Sequence, residues 1–91
     1  MYYRIESVEP LPNAHLLVYF MNGTVKIYDF NKLIKSWDVF APLANPFLFN
    51  HVQVSHGGYG VEWSDELDLS CNDLWFDGVE AEEEEQKVVE G

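Results

Sequence analysis

Acidic side chains are concentrated in one stretch of this sequence, and their spacing raises the question of chemistry. Residues 60–78 read GVEWSDELDLSCNDLWFDG and contain neither Lys nor Arg. The stretch carries six carboxylates, namely Glu62, Asp65, Glu66, Asp68, Asp73 and Asp77. Clustered carboxylates are typical of a divalent-cation site, of paired catalytic acids, or of the solvated edge of a packed element.

The spacing of these carboxylates does not match a calcium-binding loop. An EF-hand loop needs acidic or amide side chains at its positions 1, 3 and 5 and Gly at position 6. A loop that begins at Asp65 has Leu67 at its third position, and one that begins at Glu66 has Cys71 at its sixth. We therefore predict turn and capping residues here, with weak cation binding by Asp65, Glu66 and Asp68 as the alternative.

No catalytic motif can be assembled from the remaining reactive residues. His15, His51 and His56 lack the spacing of a zinc-binding helix, and HGGYG at 56–60 lacks the Lys and Ser or Thr of a phosphate loop. Cys71 is the only cysteine, which excludes an intrachain disulfide. We expect a protein without cofactor or metal that is not an enzyme. The alternative is a small enzyme or metal-binding protein that uses the carboxylates between Glu62 and Asp68 with a histidine.

The charge balance restricts the expected partners. The chain has 16 acidic and 5 basic residues, a net charge of −11. From residue 80 onward there are six Glu and one Lys, so the preceding part still carries −6. Because nucleic-acid affinity comes largely from Lys and Arg, we expect no direct contact with nucleic acid and none with membranes. A basic partner protein is the favoured partner, for a monomer or homodimer. The N-terminal residues do not resemble a signal peptide, so we expect a cytoplasmic protein.

The first third of the chain predicts antiparallel strands. Residues 2–8 favour a strand, which Pro10 and Pro12 should interrupt. Asn22-Gly23 lies between HLLVYF (15–20) and TVKIYDF (24–30) and predicts a hairpin, because both residues tolerate positive φ. Both alternating sets of side chains in 15–20 are apolar, so we expect this strand to be central.

The rest of the domain predicts short helices and a second hairpin. NKLIKSW (31–37) has helical periodicity, and Pro42 and Pro46 break the segment after it into helical turns. HVQVSH (51–56) and VEW (61–63) predict the second hairpin. Ser70 and Asp73 fit a helix-capping pattern, in which Asp73 has a structural role. The predicted core is Val18, Leu33, Phe49, Trp63 and Leu74.

The order of these motifs resembles a bacterial and archaeal family of unknown function called DUF2442. The family pattern is an apolar strand, a turn glycine, a strand ending in Asp, a short helix, a Phe before the next strand, and a W-x-(D/N)-x-x-D-(L/I) block followed by Leu. The matching positions are Phe20, Gly23, Asp29, Phe49, Val52, Trp63, Asp65, Asp68, Leu69 and Leu74. The resemblance covers roughly residues 1–77.

This resemblance implies a small α+β domain, an antiparallel sheet with two or three short helices packed against it. It implies no catalytic residue. Some longer relatives add a helix-turn-helix, and members are suspected of pairing with another small protein, as in toxin–antitoxin modules. We expect one domain over 1–78 and an acidic, disordered or frayed tail over 79–91.

Taken together, the sequence favours a protein–protein interaction module, with an antitoxin-like component of a two-protein module as one form of it. Aromatic side chains ringed by carboxylates would act as anchors, since aromatic residues are enriched at interface hot spots. Tyr2 and Tyr3 belong to the aromatic set. The main interaction candidates are Tyr28, Tyr59, Asp65, Glu66, Asp68 and Trp75.

Overall fold

Among the described residues, two small antiparallel sheets and three short helices form an α+β fold, as the sequence predicts. The structure is a computed structural model that describes residues 1–81. The four-stranded sheet has the order β1-β2-β3-β7, and the three-stranded sheet has the order β4-β5-β6. The strands are β1 Ile5–Leu11, β2 His15–Phe20, β3 Val25–Asp29, β4 Gln53–Val54, β5 Gly60–Ser64, β6 Leu67–Ser70 and β7 Val79–Glu80.

The helices lie between and after the strands. They are α1 Asn31–Ser36, α2 Pro46–Phe49 and α3 Cys71–Asp77, with 3-10 turns over Asp38–Ala44 and His56–Gly58. The prolines that were predicted to break the middle segment lie inside the first 3-10 turn and at the start of α2. Within residues 1–81, no helix is long and apolar enough to cross a membrane.

The first hairpin is confirmed, but its turn differs from the one that the sequence suggests. Strands β2 and β3 pair antiparallel, with Leu17 opposite Ile27. Gly23 has a φ of +91°, whereas Asn22 keeps a negative φ and instead accepts a hydrogen bond from the Thr24 N–H. The loop over 21–23 is therefore a three-residue connection whose last residue is left-handed, a common alternative to the two-residue turn.

The prediction that Pro10 interrupts the first strand is wrong, whereas the strand does end directly before Pro12. Strand β1 continues through Pro10, which lies opposite Leu16, and ends at Leu11. Because β1 is an edge strand, Pro10 can face away from the sheet without removing a ladder hydrogen bond. The chain then reverses through Asn13 and Ala14, which both have positive φ.

The core lies where the two sheets and the helices meet. Strand β2 is internal to its sheet, and Leu16, Val18 and Phe20 are buried on one face while the opposite face is only half-buried. Of the predicted core residues, Val18, Phe49 and Leu74 are buried; Leu33 and Trp63 are half-buried against the core. The Trp63 indole N–H donates to the Phe49 carbonyl over 3.0 Å.

The chain leaves α3 through Gly78 and pairs once more with the first sheet. Val79 and Glu80 form β7 opposite Ile27 and Lys26, and Ala81 is buried. Strand β7 begins where the sequence predicts the acidic tail to start. Residues 82–91, which make up most of that predicted tail, lie outside the described residues.

Candidate functional site

The carboxylates between residues 62 and 68 lie on an exposed hairpin. Glu62 and Asp68 are directly opposite each other on β5 and β6, and both are exposed. Asp65 and Glu66 form the turn between these strands and are also exposed. Like charges directly opposite each other repel, but both carboxylates are exposed, and water screens the repulsion between them. Across the part of the chain that the structure describes, no group of three His, Cys, Asp or Glu residues could hold a metal ion.

The capping role predicted for the start of α3 is confirmed. The Ser70 hydroxyl oxygen accepts a hydrogen bond from the Asp73 N–H over 3.2 Å. Asp73 therefore lies in the first turn, where a carboxylate interacts favourably with unpaired N–H groups at the helix N-terminus.

A histidine and a carboxylate do meet, but in a cleft that the sequence did not indicate. His15 on β2 and Asp29 on β3 lie directly opposite each other, and His15 Nε2 is 3.7 Å from Asp29 Oδ2. The cleft has a volume of about 620 Å³, and Tyr28, Lys32 and Asp77 also line it. His15 Nδ1 is 2.9 Å from the Asn13 carbonyl oxygen, which can only accept, so this nitrogen carries the proton.

Two groups in this cleft have shifted pKa values. Burial raises the pKa of the Tyr28 phenol, and the negative charge of Asp77 adds to this effect. The backbone N–H of Asn31 donates to the Asp29 carboxylate over 2.8 Å and lowers the pKa of that group. That hydrogen bond also holds the start of α1 against the end of β3.

A second candidate surface surrounds residues 1–4, which we call the N-terminal segment. The Asn72 side chain on α3 fixes this segment through two hydrogen bonds. Its Oδ1 accepts from the Tyr3 N–H over 3.1 Å, and its Nδ2 donates to the Met1 carbonyl over 2.9 Å. The segment is thus held along α3, with Tyr2 and Tyr3 contacting different partners, Tyr59 and Trp75 respectively.

On one side lies a group that we call the tyrosine cluster, formed by Tyr2, Arg4 and Tyr59. The rings of Tyr2 and Tyr59 pack edge to face with centroids 5.3 Å apart. The Arg4 guanidinium carbon lies 5.1 Å from the centre of the Tyr59 ring. Tyr2 is 66% exposed and Tyr59 is 48% exposed. Both rings are therefore ordered by contacts and still accessible to solvent.

On the other side lies the tryptophan cluster, formed by Tyr3, Trp75, Phe76 and Lys26. The rings of Tyr3 and Trp75 are stacked, and Phe76 packs edge to face on Tyr3 at 5.7 Å. The Lys26 ammonium lies 4.3 Å from the centre of the Trp75 ring and donates to the Trp75 carbonyl. Trp75 is half-buried, whereas Phe76 is 69% exposed.

Two adjacent glycines bring Tyr59 to the N-terminal segment. Gly57 and Gly58 have φ values of +79° and +82°, and the chain folds back so closely that a Cβ on Gly58 would lie 2.5 Å from the Ile5 carbonyl oxygen. The Arg4 Nε donates to the Gly57 carbonyl over 2.7 Å. The HGGYG turn is thus attached to β1, and only glycine fits this approach.

The interaction candidates from the sequence fall in three places. Tyr59 and Trp75 flank the N-terminal segment on its two sides. Tyr28 is 7% exposed and forms part of the core beside the cleft. Asp65, Glu66 and Asp68 lie on the exposed β5–β6 hairpin. Sequence reasoning did not single out Arg4 and Phe76. The aromatic residues on α3 were a signal for Phe76, whereas no local pattern marks Arg4.

The described residues form a small α+β domain with two solvent-accessible aromatic clusters. The chain belongs to the family described as "Protein of unknown function (DUF2442)", whose model matches residues 5–80. The resemblance seen in the sequence is therefore confirmed. Among curated proteins, none is significantly similar to this chain.

One solved structure with the same fold is the crystal structure of a protein from Nitrosomonas europaea described as "Putative DNA Binding Protein NE0471". The two chains share 23% sequence identity, and the TM-score is 0.67. The match covers 82% of this chain and 48% of that chain, so this chain spans about half the length of the protein it matches.

This likeness contradicts the expectation that the chain makes no direct contact with nucleic acid. Net charge is a sum over the whole surface, whereas contact with DNA depends on where Lys and Arg lie and on segments outside a shared domain. Net charge alone was therefore too coarse an argument. The comparisons also give no support to the expectation of a basic partner protein.

Proposed function

We propose that this domain is a protein–protein interaction module whose contact surface is formed by the two aromatic clusters beside the N-terminal segment. The observation that carries the proposal is the exposure of Tyr2, Tyr59 and Phe76 at positions where each ring packs against another aromatic ring. Exposed apolar patches on small domains mark interaction sites.

The physical reason is the low cost of ordering such a surface. Binding immobilises side chains, and each mobile side chain costs about 0.5–1.5 kcal/mol when it is ordered at an interface. Rings that are already stacked, such as Tyr3 on Trp75, have lost most of that freedom before a partner arrives. Tyr, Trp and Arg are also the residues most enriched at interface hot spots, and all three occur here.

A site-specific photocrosslink tests the proposal. A photoreactive phenylalanine analogue at position 76 should give a discrete adduct with one partner protein in the native host. The matched control is the same analogue at position 47, because Phe47 is 79% exposed on α2. The partner, once identified and purified, should bind Phe76→Ala and Tyr2→Ala at least about tenfold more weakly than wild type.

Three outcomes count against the proposal. The first is an adduct at position 47 only, and the second is unchanged affinity in both alanine variants. The third is an adduct at position 76 that nuclease removes, which would point to nucleic acid at this surface. Nucleic acid is a relevant alternative because the similar protein from Nitrosomonas europaea is described as a "Putative DNA Binding Protein".

A further inference from the structure

The tyrosine cluster contains one cation, the Arg4 guanidinium, and its terminal nitrogens donate no hydrogen bond within residues 1–81. Arg4 donates through Nε to the Gly57 carbonyl. In that part of the chain, the one ion pair within 4.0 Å joins His15 to Asp29, and no hydrogen bond involves the terminal nitrogens of the guanidinium. A guanidinium carries five N–H donors in a planar fork, so the other four donors have no partner within residues 1–81.

The position of this guanidinium is fixed on two sides. The hydrogen bond to Gly57 over 2.7 Å fixes Nε, and the guanidinium carbon lies over the Tyr59 ring, 5.1 Å from its centre. A planar fork held in one orientation matches a carboxylate, which can accept two parallel N–H bonds from it. The Arg4 side chain is therefore already ordered in the unbound protein, so that binding costs less side-chain entropy.

Two exposed apolar side chains lie near the residues that hold the guanidinium. Tyr2 is 66% exposed, and Met21 is 53% exposed beside the Gly57-Gly58 turn. The Met21 N–H also donates to the Arg4 carbonyl, which places residue 21 next to residue 4. A ligand that covers these side chains would exclude water from the guanidinium, and exclusion of water strengthens a charged hydrogen bond.

From this geometry we infer that the tyrosine cluster binds an Asp or Glu carboxylate of a partner protein, at a point where an aromatic or aliphatic side chain of the partner lies next to that carboxylate. The inference rests on the proposed function and specifies the chemistry of the partner. It reverses the expectation drawn from net charge, because the residues in contact determine complementarity at short range while the net charge acts at long range.

One anionic group fits this site better than a row of phosphates. Nucleic-acid affinity grows with the number of phosphates that Lys and Arg neutralise, and the tyrosine cluster offers a single guanidinium. The Lys26 ammonium belongs to the tryptophan cluster on the other side of the segment, where it already contacts the Trp75 ring and carbonyl.

Titration of the full 91-residue chain with blocked tripeptides, followed by NMR, tests the inference. The probes are acetyl-Leu-Asp-Phe-amide and two matched versions with Asn or Lys in the central position. A charged acceptor strengthens a hydrogen bond, so the Asp peptide should bind about fivefold or more tightly than the Asn peptide. The resonances that move should be those of Arg4 Nε–H, Gly57 and the two tyrosine rings.

Substitutions then assign the preference to one side chain. Arg4→Gln should abolish the difference between the Asp and Asn peptides, and Arg4→Lys should reduce it because an ammonium lacks the fork. Lys35→Gln is the matched control, since Lys35 is an exposed cation on α1, and this variant should keep the full preference. Unchanged amide spectra away from the site show that each variant folds.

The inference is overturned if wild type binds the Asp and Asn peptides equally, if the Lys peptide binds most tightly, or if the shifts map to other residues. It is also overturned if an oligothymidylate binds at these residues more tightly than the Asp peptide. None of these measurements depends on the natural partner. A failure here is therefore distinct from a failure of the proposed function, which the alanine variants at positions 2 and 76 test.

Discussion

The ring of Tyr3 lies flat against the ring of Trp75, with centroids 4.0 Å apart and planes within 4° of parallel. This contact joins the N-terminal segment to the last helix. It also separates two roles among neighbouring aromatic residues, because Trp75 supports the surface from below while Phe76 presents its ring to solvent.

We expect this division to appear as unequal losses of stability from two adjacent substitutions. Trp75→Ala removes a half-buried ring that contacts Tyr3, Phe20 and Lys26, and should lower the free energy of unfolding by about 2 kcal/mol or more. Phe76→Ala removes a mostly exposed ring and should cost less than about 1 kcal/mol. Urea melts measure both values, and equal losses would contradict the assignment.

A pair of glycine substitutions tests the close approach of the HGGYG turn to β1. Gly58→Ala combines a left-handed backbone with a Cβ 2.5 Å from the Ile5 carbonyl, and should destabilise the protein by about 3 kcal/mol or more. Gly23→Ala is the control, because its φ is also positive but no atom lies within 4 Å of the added Cβ. It should cost about 1 kcal/mol in the same urea melts. Comparable losses would mean that the turn does not pack on β1.

The Asn72 side chain should control the order of the N-terminal segment. Asn72→Ala removes both hydrogen bonds to the segment and should speed amide exchange at Tyr3 by about thirtyfold, since each bond contributes about 1 kcal/mol. Asn22→Ala is a matched control, because among the bonds described for residues 1–81 the Asn22 side chain bonds within its own turn. Hydrogen exchange followed by NMR measures the effect, and unchanged protection at Tyr3 would show that other contacts hold the segment.

The contribution of the β3–α1 connection to the free energy of unfolding should depend on pH. The N–H of Asn31 lowers the pKa of Asp29 below its usual value of 3.8, so the folded state favours the carboxylate. This stabilisation is present above the unfolded-state pKa and is lost as the pH falls through the folded-state pKa. Wild type should therefore lose more stability than Asp29→Asn on acidification below about pH 4.

Urea melts at several pH values measure this difference. Asp65→Asn is the control, because Asp65 is exposed and forms no hydrogen bond among the bonds described for residues 1–81. Parallel pH profiles for wild type and Asp29→Asn would contradict a stabilising role for the charged form.

Local signals in the sequence determined much of the fold. Asn22-Gly23 between apolar runs specified the first hairpin, and Ser70 with Asp73 specified the start of α3, because the residues involved are neighbours along the chain. The ordered motifs between Phe20 and Leu74 also identified the family correctly. Each of these features depends on few residues and short distances.

Tertiary structure decided the rest, and the reason in each case is a contact between residues far apart in sequence. Pro10 fits in a strand only because β1 is at the sheet edge, which pairing order determines. Glu62 and Asp68 are a solvated cross-strand pair because β6 pairs with β5 in this register. The tyrosine cluster exists because the Gly57-Gly58 turn packs on β1 and brings Arg4 to Tyr59, a distance of 55 positions that no local pattern encodes.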